Sequence, residues 1–331
     1  MYVTDPDSKL YISENRIVCE GNDIKTMLPL ETLEGIVLVG NAGITSHCSK
    51  EMLERGIPVS YISGRGEYFG RLQSTRHVNI QRQRCQFRCG DNDSFCMEIT
   101  RGIISAKIHN QCVLLRRYNR RIADRKVEEN ISEMKRQENL LQTCTGREQI
   151  MGYEGIASRL YFESLSRLVD EEFSFKGRSK MPPKDPFNSL LSFGYTLLLY
   201  EVFNAIELKG LNPYAGFMHQ DRQGHPALAS DLMEEWRPVI VDSLVMSMLN
   251  NGKFSKYEFI ENEENKGILL EKNAVKRFVR SFEEKVRSEA GYLAYVNYSL
   301  SFRKSIMYQA GIIARAVEEN DAALYKPVRL R

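Results

Sequence analysis

Residues 57–89 read IPVSYISGRGEYFGRLQSTRHVNIQRQRCQFRC, and the period of the sequence changes inside this stretch. Its first half, IPVSYIS and EYFGRLQ around Gly64-Arg65-Gly66, predicts a hairpin, because glycine supplies the positive φ that a short turn between paired strands needs. From Arg76 the apolar residues recur at the helical spacing, and strand-like alternation almost vanishes for the rest of the chain. This change predicts the fold class, an α+β chain of two domains. An N-terminal β-sheet domain covers residues 1–75, a linker helix 76–93, and a larger all-α domain 94–331.

Upstream of that stretch, strands are expected at 9–13 and 15–20 around a tight turn at Glu14, and at 33–40. One helix interrupts them at 45–55, with Cys48, Met52 and Leu53 on its apolar face and Gly56 as its stop. Downstream, caps and breakers place helices at 76–89, 94–118, 147–169, 185–208, 230–250, 273–287 and 299–319. No period of about 20–50 residues recurs, which excludes a repeat solenoid.

With 331 residues, 42% apolar and 27% charged, the chain can bury a substantial core and exceeds the roughly 250–300 residues at which single cores stop growing. MYVTDPDSK at the start lacks the pattern of a signal peptide, and the greasiest stretch, Leu190 to Tyr200, is too short to cross ~30 Å of hydrocarbon. A cytoplasmic protein without membrane contact is expected. Seven cysteines, an odd number, argue against a disulfide framework. Cys85, Cys89 and Cys96 with His77 are a zinc candidate whose gaps do not match paired C-x2-C knuckles.

A net charge of +3 does not announce a nucleic-acid binder, but its distribution is uneven. Between Arg71 and Lys126 lie Arg76, Arg82, Arg84, Arg88, Arg101, Lys107, Arg116, Arg117, Arg120, Arg121, Arg125 and Lys126, facing few acids. Such a stripe can track phosphates whatever the base sequence, or it is a solvated helix face. Arg116, Arg117, Arg120, Arg121 and, further on, Arg237 are the candidate DNA contacts.

Two segments place ionisable groups inside apolar helical patterns, where an unpaired charge is expensive. In MGYEGIASRLYFESLSRLV, residues 151–169, Glu154 stands beside Gly155, which leaves room for another group to approach the carboxylate. In LNPYAGFMHQDRQGHPALASDLMEEWRPVIVDSLV, residues 211–245, an apolar run ends at His219 and a helix is expected to begin with Ser230 as its cap. Asp231, Glu234 and Glu235 would then crowd a first helical turn, where the helix dipole alone explains acids. Taken singly, Glu234 reads as such an acid and His219 as a core histidine. Taken together, Glu154, His219 and Glu234, with Asp231 one turn away, make a mixed N/O set suited to Mg or Mn and open to substrate. No local spacing links Glu154 to the other two.

With these segments on the page, the chain resembles the CRISPR-associated integrase-nuclease family of spacer acquisition along nearly its whole length. The resemblance rests on G-Y-E-G around Glu154, DPFNSLLSFGYTLLLYEV from Asp185, NPYAGFMH ending at His219, and SDLMEEWRP from Ser230, in the family's order. It implies that Glu154, His219 and Glu234 are catalytic and bind Mg or Mn, with Asp231 auxiliary. It also implies insertion of short foreign DNA fragments into a CRISPR array by attack of a 3′-hydroxyl. The implied partners are double-stranded DNA, as spacer fragment and CRISPR repeat, a second copy of the chain, and a smaller CRISPR adaptation protein sandwiched between two dimers. The competing readings are a metal-dependent hydrolase of a small phosphorylated or nucleotide substrate, and a non-catalytic DNA-binding scaffold whose acids serve only as helix caps.

Overall fold

The computed structural model describes the chain apart from residues 6, 22–24, 64–67, 75–77, 264, 292, 294, 295 and 331. The chain divides into two compact units, Met1–Val78 with Lys272–Val279, and Asn79–Glu271 with Arg280–Arg331.

The first unit holds β1 (Tyr2–Val3), β2 (Lys9–Ser13), β3 (Arg16–Glu20), β4 (Lys25–Pro29), β5 (Ile36–Val39), β6 (Gly43–Ile44), α1 (Ser46–Arg55), β7 (Val59–Ile62) and β8 (Tyr68–Leu72). The strands form two four-stranded sheets, ordered β4-β3-β2-β6 and β1-β5-β7-β8. The β2–β3 turn is Glu14-Asn15 with φ of 50° and 57°. Two successive left-handed residues match the right-handed twist of paired strands, which is why this register, Ser13 opposite Arg16, is adopted. Thr45 caps α1 by accepting from the Cys48 amide, and Gly56 ends it at φ 68°, as the sequence predicts. Leu10, Ile17, Leu38, Cys48, Met52 and Val59 belong to the core of this unit. Full burial of an aliphatic side chain of this kind stabilises the fold by about 1.5–3 kcal/mol. The hairpin expected from IPVSYIS and EYFGRLQ is present as antiparallel β7 and β8, paired from Val59 with Leu72. The expected turn at Gly64-Arg65-Gly66 lies outside the described residues, as do Arg76 and His77.

The second unit is mostly helical. It contains α2 (Ile80–Gly90), α3 (Asp93–Ile122), α4 (Arg125–Leu140), α5 (Arg147–Leu168), α6 (Pro186–Leu208), α7 (Ala227–Met233), a π-helical turn Arg237–Asp242 and α8 (Ser243–Asn250). A small hairpin of β9 (Phe259–Glu261) and β10 (Ile268–Leu270), then α9 (Lys272–Arg287) and α10 (Phe302–Glu319), follow; α9 begins in the first unit and ends in the second. α6 starts as its sequence predicts, with the Asp185 carboxylate accepting from Asn188 N at 2.8 Å and Pro186 in the first turn.

Several expectations are corrected. α4 was not anticipated, and α3 runs on to Ile122, where Ala123 turns left-handed at φ 56°. α7 begins at Ala227, so Ser230 and Asp231 lie inside a helix whose N-cap makes no side-chain bond. Leu190 to Tyr200 is the middle of a 23-residue helix that is long and apolar enough to span a bilayer by length and composition, with 72% of its apolar window buried inside the protein. All seven cysteines are free. The zinc candidate, which its spacing already disfavours, makes no metal cluster among the described residues, where Cys96 donates to the Gly90 carbonyl and burial pushes the Cys89 thiol up to about 11.

Candidate active site

In α5 the residues Ile150, Ala157, Leu160, Tyr161 and Leu165 face the core. That helical spacing leaves Glu154 at the edge of the buried face, its side chain 15% exposed. A Cβ at the neighbouring Gly155 would meet nothing within 4 Å, so the space beside the carboxylate is open. Across from it, α3 supplies Lys107, whose Nζ lies 2.5 Å from Glu154 Oε1 and 2.6 Å from Glu234 Oε2. Ser158 Oγ donates to the same Glu154 oxygen at 2.6 Å. Lys107 is itself buried, which removes it from the surface stripe in which the sequence placed it.

Glu234 follows the last residue of α7. The dipole there disfavours an acid, so the first-turn explanation drawn from a start at Ser230 does not hold. Two cations hold Glu234 instead: Lys107, and Arg237 with Nη2 3.2 Å from Oε1. Burial raises the Glu234 carboxyl, yet Arg237 and Lys107 outweigh it and bring it to about 2. For Glu154 burial again raises and Lys107 and Ser158 prevail, so this acid also sits below the usual range. Both are ionised. The Lys107 ammonium thus stands against both carboxylates, 2.6 Å from Glu234 Oε2.

His219 is oriented by Asp231. One carboxylate oxygen accepts from Phe217 N at 2.7 Å and Met218 N at 3.0 Å; the other accepts from His219 N at 3.0 Å and meets its Nδ1 at 2.6 Å. An ionised carboxylate can only accept, so Nδ1 is the donor in this contact and Nε2 is the nitrogen left free of Asp231. Gly216 permits this arrangement, since a Cβ there would stand 2.8 Å from both Asp231 Oδ2 and Ala227 Cβ. Asp231, expected to be an auxiliary ligand, thus spends both oxygens on the backbone and ring of His219.

Lys107, Glu154, His219, Glu234 and Arg237 line one cavity of about 1660 Å³. The structure therefore brings the three sequence-derived candidates to one chamber. Among the described residues, no three His, Cys, Asp or Glu side chains stand close enough together to hold an ion as placed, and the Lys107 ammonium lies between the two glutamates. Arg147, Arg159, Arg178, Lys180 and Arg222 line the same cavity. Burial, and then the charges of Arg237 and Arg178, depress Lys180, which marks a wall short of anions. Arg237 and Arg178 lie against the Tyr195 ring, 4.6 and 5.4 Å from its centroid. Tyr195 in turn donates to Asp242 at 2.6 Å.

Sequence reasoning missed Arg178, Lys180, Tyr195 and Asp242. A signal existed for the first two, the run Lys176-Gly177-Arg178-Ser179-Lys180 between helices. Of the predicted DNA contacts, Arg117, Arg120 and Arg121 are exposed near the end of α3, and Arg116 is half-buried. Arg237 belongs to the cavity. Elsewhere in the stripe, Arg82 pairs with Glu318 at 2.7 Å and Arg101 donates to the Leu141 and Cys144 carbonyls, both structural uses.

Two ionised carboxylates and an oriented imidazole thus share one cavity rich in arginine and lysine. The chain matches the family profile of CRISPR associated protein Cas1 over residues 1–284. It is 33% identical over 319 residues to the CRISPR-associated endonuclease Cas1 of Mycobacterium tuberculosis, an alignment covering 96% of this chain and 94% of that one. Among solved structures, a chain of a Cas6-RT-Cas1–Cas2 complex superposes with a TM-score of 0.85 at 25% identity; the match covers 100% of this chain and 36% of that longer one. A casposase bound to integration product shares the fold, with a TM-score of 0.83 at 19% identity over 97% of this chain and 92% of its own. The chain belongs to the Cas1 family.

Proposed function

We propose that this chain is a divalent-metal-dependent DNA endonuclease and integrase that inserts short DNA fragments into a CRISPR array. The observation that carries the reading is the convergence of Glu154, Glu234 and His219 on one cavity, with His219 Nδ1 engaged by Asp231. A histidine whose one nitrogen is fixed by a carboxylate is prepared to ligate through the other. Two oxygen donors and one nitrogen fit Mg or Mn, and at Glu234 Oε2 an ion would have to displace the Lys107 ammonium, 2.6 Å away. When bound, such an ion polarises a phosphodiester and stabilises charge developing on its oxygens.

The chain's own groups do the rest. Asp231 keeps the His219 ring in one tautomer, while Arg237, Arg178 and Lys180 draw a phosphate into the cavity and neutralise it. The 3′-oxygen of a DNA fragment forms a bond to phosphorus as the bond to the repeat strand's 3′-oxygen breaks. One phosphodiester replaces another, and no nucleotide triphosphate is required. With water as nucleophile the same site cuts DNA. The solved relative named above as a Cas6-RT-Cas1–Cas2 complex supports a Cas2-type partner; a homodimer with two dimers per assembly is part of the same proposal and follows from the family resemblance alone.

The test is transfer of a labelled 3′-hydroxyl duplex into a supercoiled plasmid carrying a repeat, with Mn and the smaller partner present. Glu154→Ala and His219→Ala should each lower transfer on the order of 10³-fold, with DNA affinity changed less than about threefold, because phosphate contacts and metal chemistry rest on different residues. Full transfer by His219→Ala would overturn the assignment.

A further inference from the structure

We infer that Lys107 is the resident counter-ion of the acid pair, holding the place between Glu154 and Glu234 that a divalent cation needs and competing with it for both carboxylates. This rests on the metal reading above and adds a role for a residue to which that reading gives none.

The geometry is unusual for a structural lysine. Lys107 Nζ touches two carboxylates from different helices, at 2.5 and 2.6 Å, and its side chain is only 10% exposed. A lysine serving as a staple needs one acid. Here Lys107 and Arg237 face Glu154 and Glu234, two charges of each sign, with Arg178 and Lys180 as further cations beside them. The other acids nearby are engaged elsewhere, Asp231 by amides and His219, and Asp242 by the hydroxyls of Tyr161 and Tyr195.

Two consequences follow from charge alone. A unit charge within about 4–5 Å of a divalent ion opposes its binding many-fold even where the effective dielectric is near 20. Adding the ion where Lys107 and Arg237 already match both acids also leaves a surplus of at least two positive charges beside Arg178 and Lys180. Only an anion can absorb that surplus in a buried place, and a phosphodiester is the anion that the cationic cavity admits. Ion and phosphodiester must therefore bind cooperatively, each tightening the other by the same factor. Lys107 thereby keeps the centre weakly loaded until DNA arrives.

The experiment titrates the full chain with Mn, read by loss of the free-ion paramagnetic resonance signal and by calorimetry, with and without the dinucleotide thymidylyl-3′,5′-thymidine as the diester. For the wild type, the dinucleotide should tighten Mn at least threefold. Lys107→Met should bind Mn alone at least tenfold more tightly than the wild type and lose most of the dinucleotide effect, whereas Lys107→Arg should stay within threefold of the wild type. A folded Lys107→Met protein, verified by its melting transition, that binds Mn no more tightly than the wild type would overturn the counter-ion role. Should that variant not fold, the wild-type linkage decides, because a dinucleotide without effect on Mn affinity contradicts the inference. Absence of Mn binding by the wild type is a different outcome, and it removes the metal reading itself.

Discussion

Glu234 and Glu235 are adjacent in the chain and both are almost wholly buried, yet the two faces of this turn treat their acids in opposite ways. Glu234 looks into the cavity, where burial raises its carboxyl but Arg237 and Lys107 bring it down to about 2. Glu235 faces away, toward residues 325–330. It accepts from Tyr325 Oη, Val328 N and Gln309 Nε2, each at 2.6 Å, and burial wins over these neutral donors to push it up to about 8. Asp242 repeats the second pattern, raised to about 6 by burial against two tyrosine hydroxyls. Burial is common to all three acids. The outcome differs because Arg237 and Lys107 both pair directly with Glu234 and outweigh burial, whereas Glu235 and Asp242 are bonded by neutral donors and the charges of Arg329, Arg237 and Arg178 leave burial ahead.

That contrast breaks most sharply at Glu235. Glu235→Ala leaves a tyrosine hydroxyl, a backbone amide and a glutamine amide without their acceptor, so unfolding stability should drop by about 3 kcal/mol or more, read by denaturant melts. Glu234→Ala takes the carboxylate partner from Arg237 but leaves that guanidinium on the Tyr195 ring and Lys107 on Glu154, so its stability loss should be the smaller, while strand transfer should disappear. Equal stability losses would erase the distinction between the two faces. Titration gives the same comparison a sign. The folded pKa of Glu235 lies above its free value of 4.5, so its contribution is fully present below about pH 4.5 and is lost as pH rises through 8. Glu234, depressed to about 2, contributes above pH 4.5 and loses its share as pH falls toward 2. The melting temperature should therefore decline between pH 5 and pH 8.5, and Glu235→Gln should flatten that decline. An unchanged slope in the glutamine variant would show that other groups govern it.

A medium effect is expected at Gly216, where an added Cβ must displace Asp231 or Ala227. Gly216→Ala should destabilise by about 1–3 kcal/mol and, by loosening the carboxylate that orients His219, weaken Mn binding on the order of tenfold. Unaltered Mn affinity in this variant would mean that Asp231 is not what prepares the imidazole. The smallest change per residue belongs to the exposed arginines. Replacing Arg117, Arg120 and Arg121 together by Ala should weaken DNA binding about equally for all sequences, and lower the slope of log affinity against log salt by up to about three, with Mn binding untouched. A constant salt slope would return them to the solvated surface.

The parts of this protein legible in its sequence are those fixed by local chemistry. Glu14-Asn15 marks a hairpin, Thr45 and Gly56 bracket α1, and Asp185-Pro186 opens α6, because turns and caps are decided by a few neighbouring residues. α4 escaped notice because its buried apolar side chains are only Val127, Ile131 and Met134 among many charges. The start of α7 was misplaced at Ser230 because the true start has no capping side chain, and Asp231 serves an upstream loop instead of its own helix. At the site, Glu154, His219 and Glu234 were drawn together by the family resemblance, since Glu234 alone reads as a helix-dipole acid and His219 alone as a core histidine. Lys107 was not, since its partners are 47 and 127 positions away and its own neighbourhood reads as one more cation in a basic stretch.

The division of the chain also sets the order in which it can be made. The first unit is not finished at Val78, because Lys272–Val279 belongs to it and Lys276 pairs with Asp5 at 2.5 Å. Ribosomes add about 5–20 residues per second, so the opening strands wait roughly 10–40 s during synthesis for the helical turn that completes them. A fragment ending at residue 78 would lack the Lys276–Asp5 pair and the helical segment that belongs to this unit.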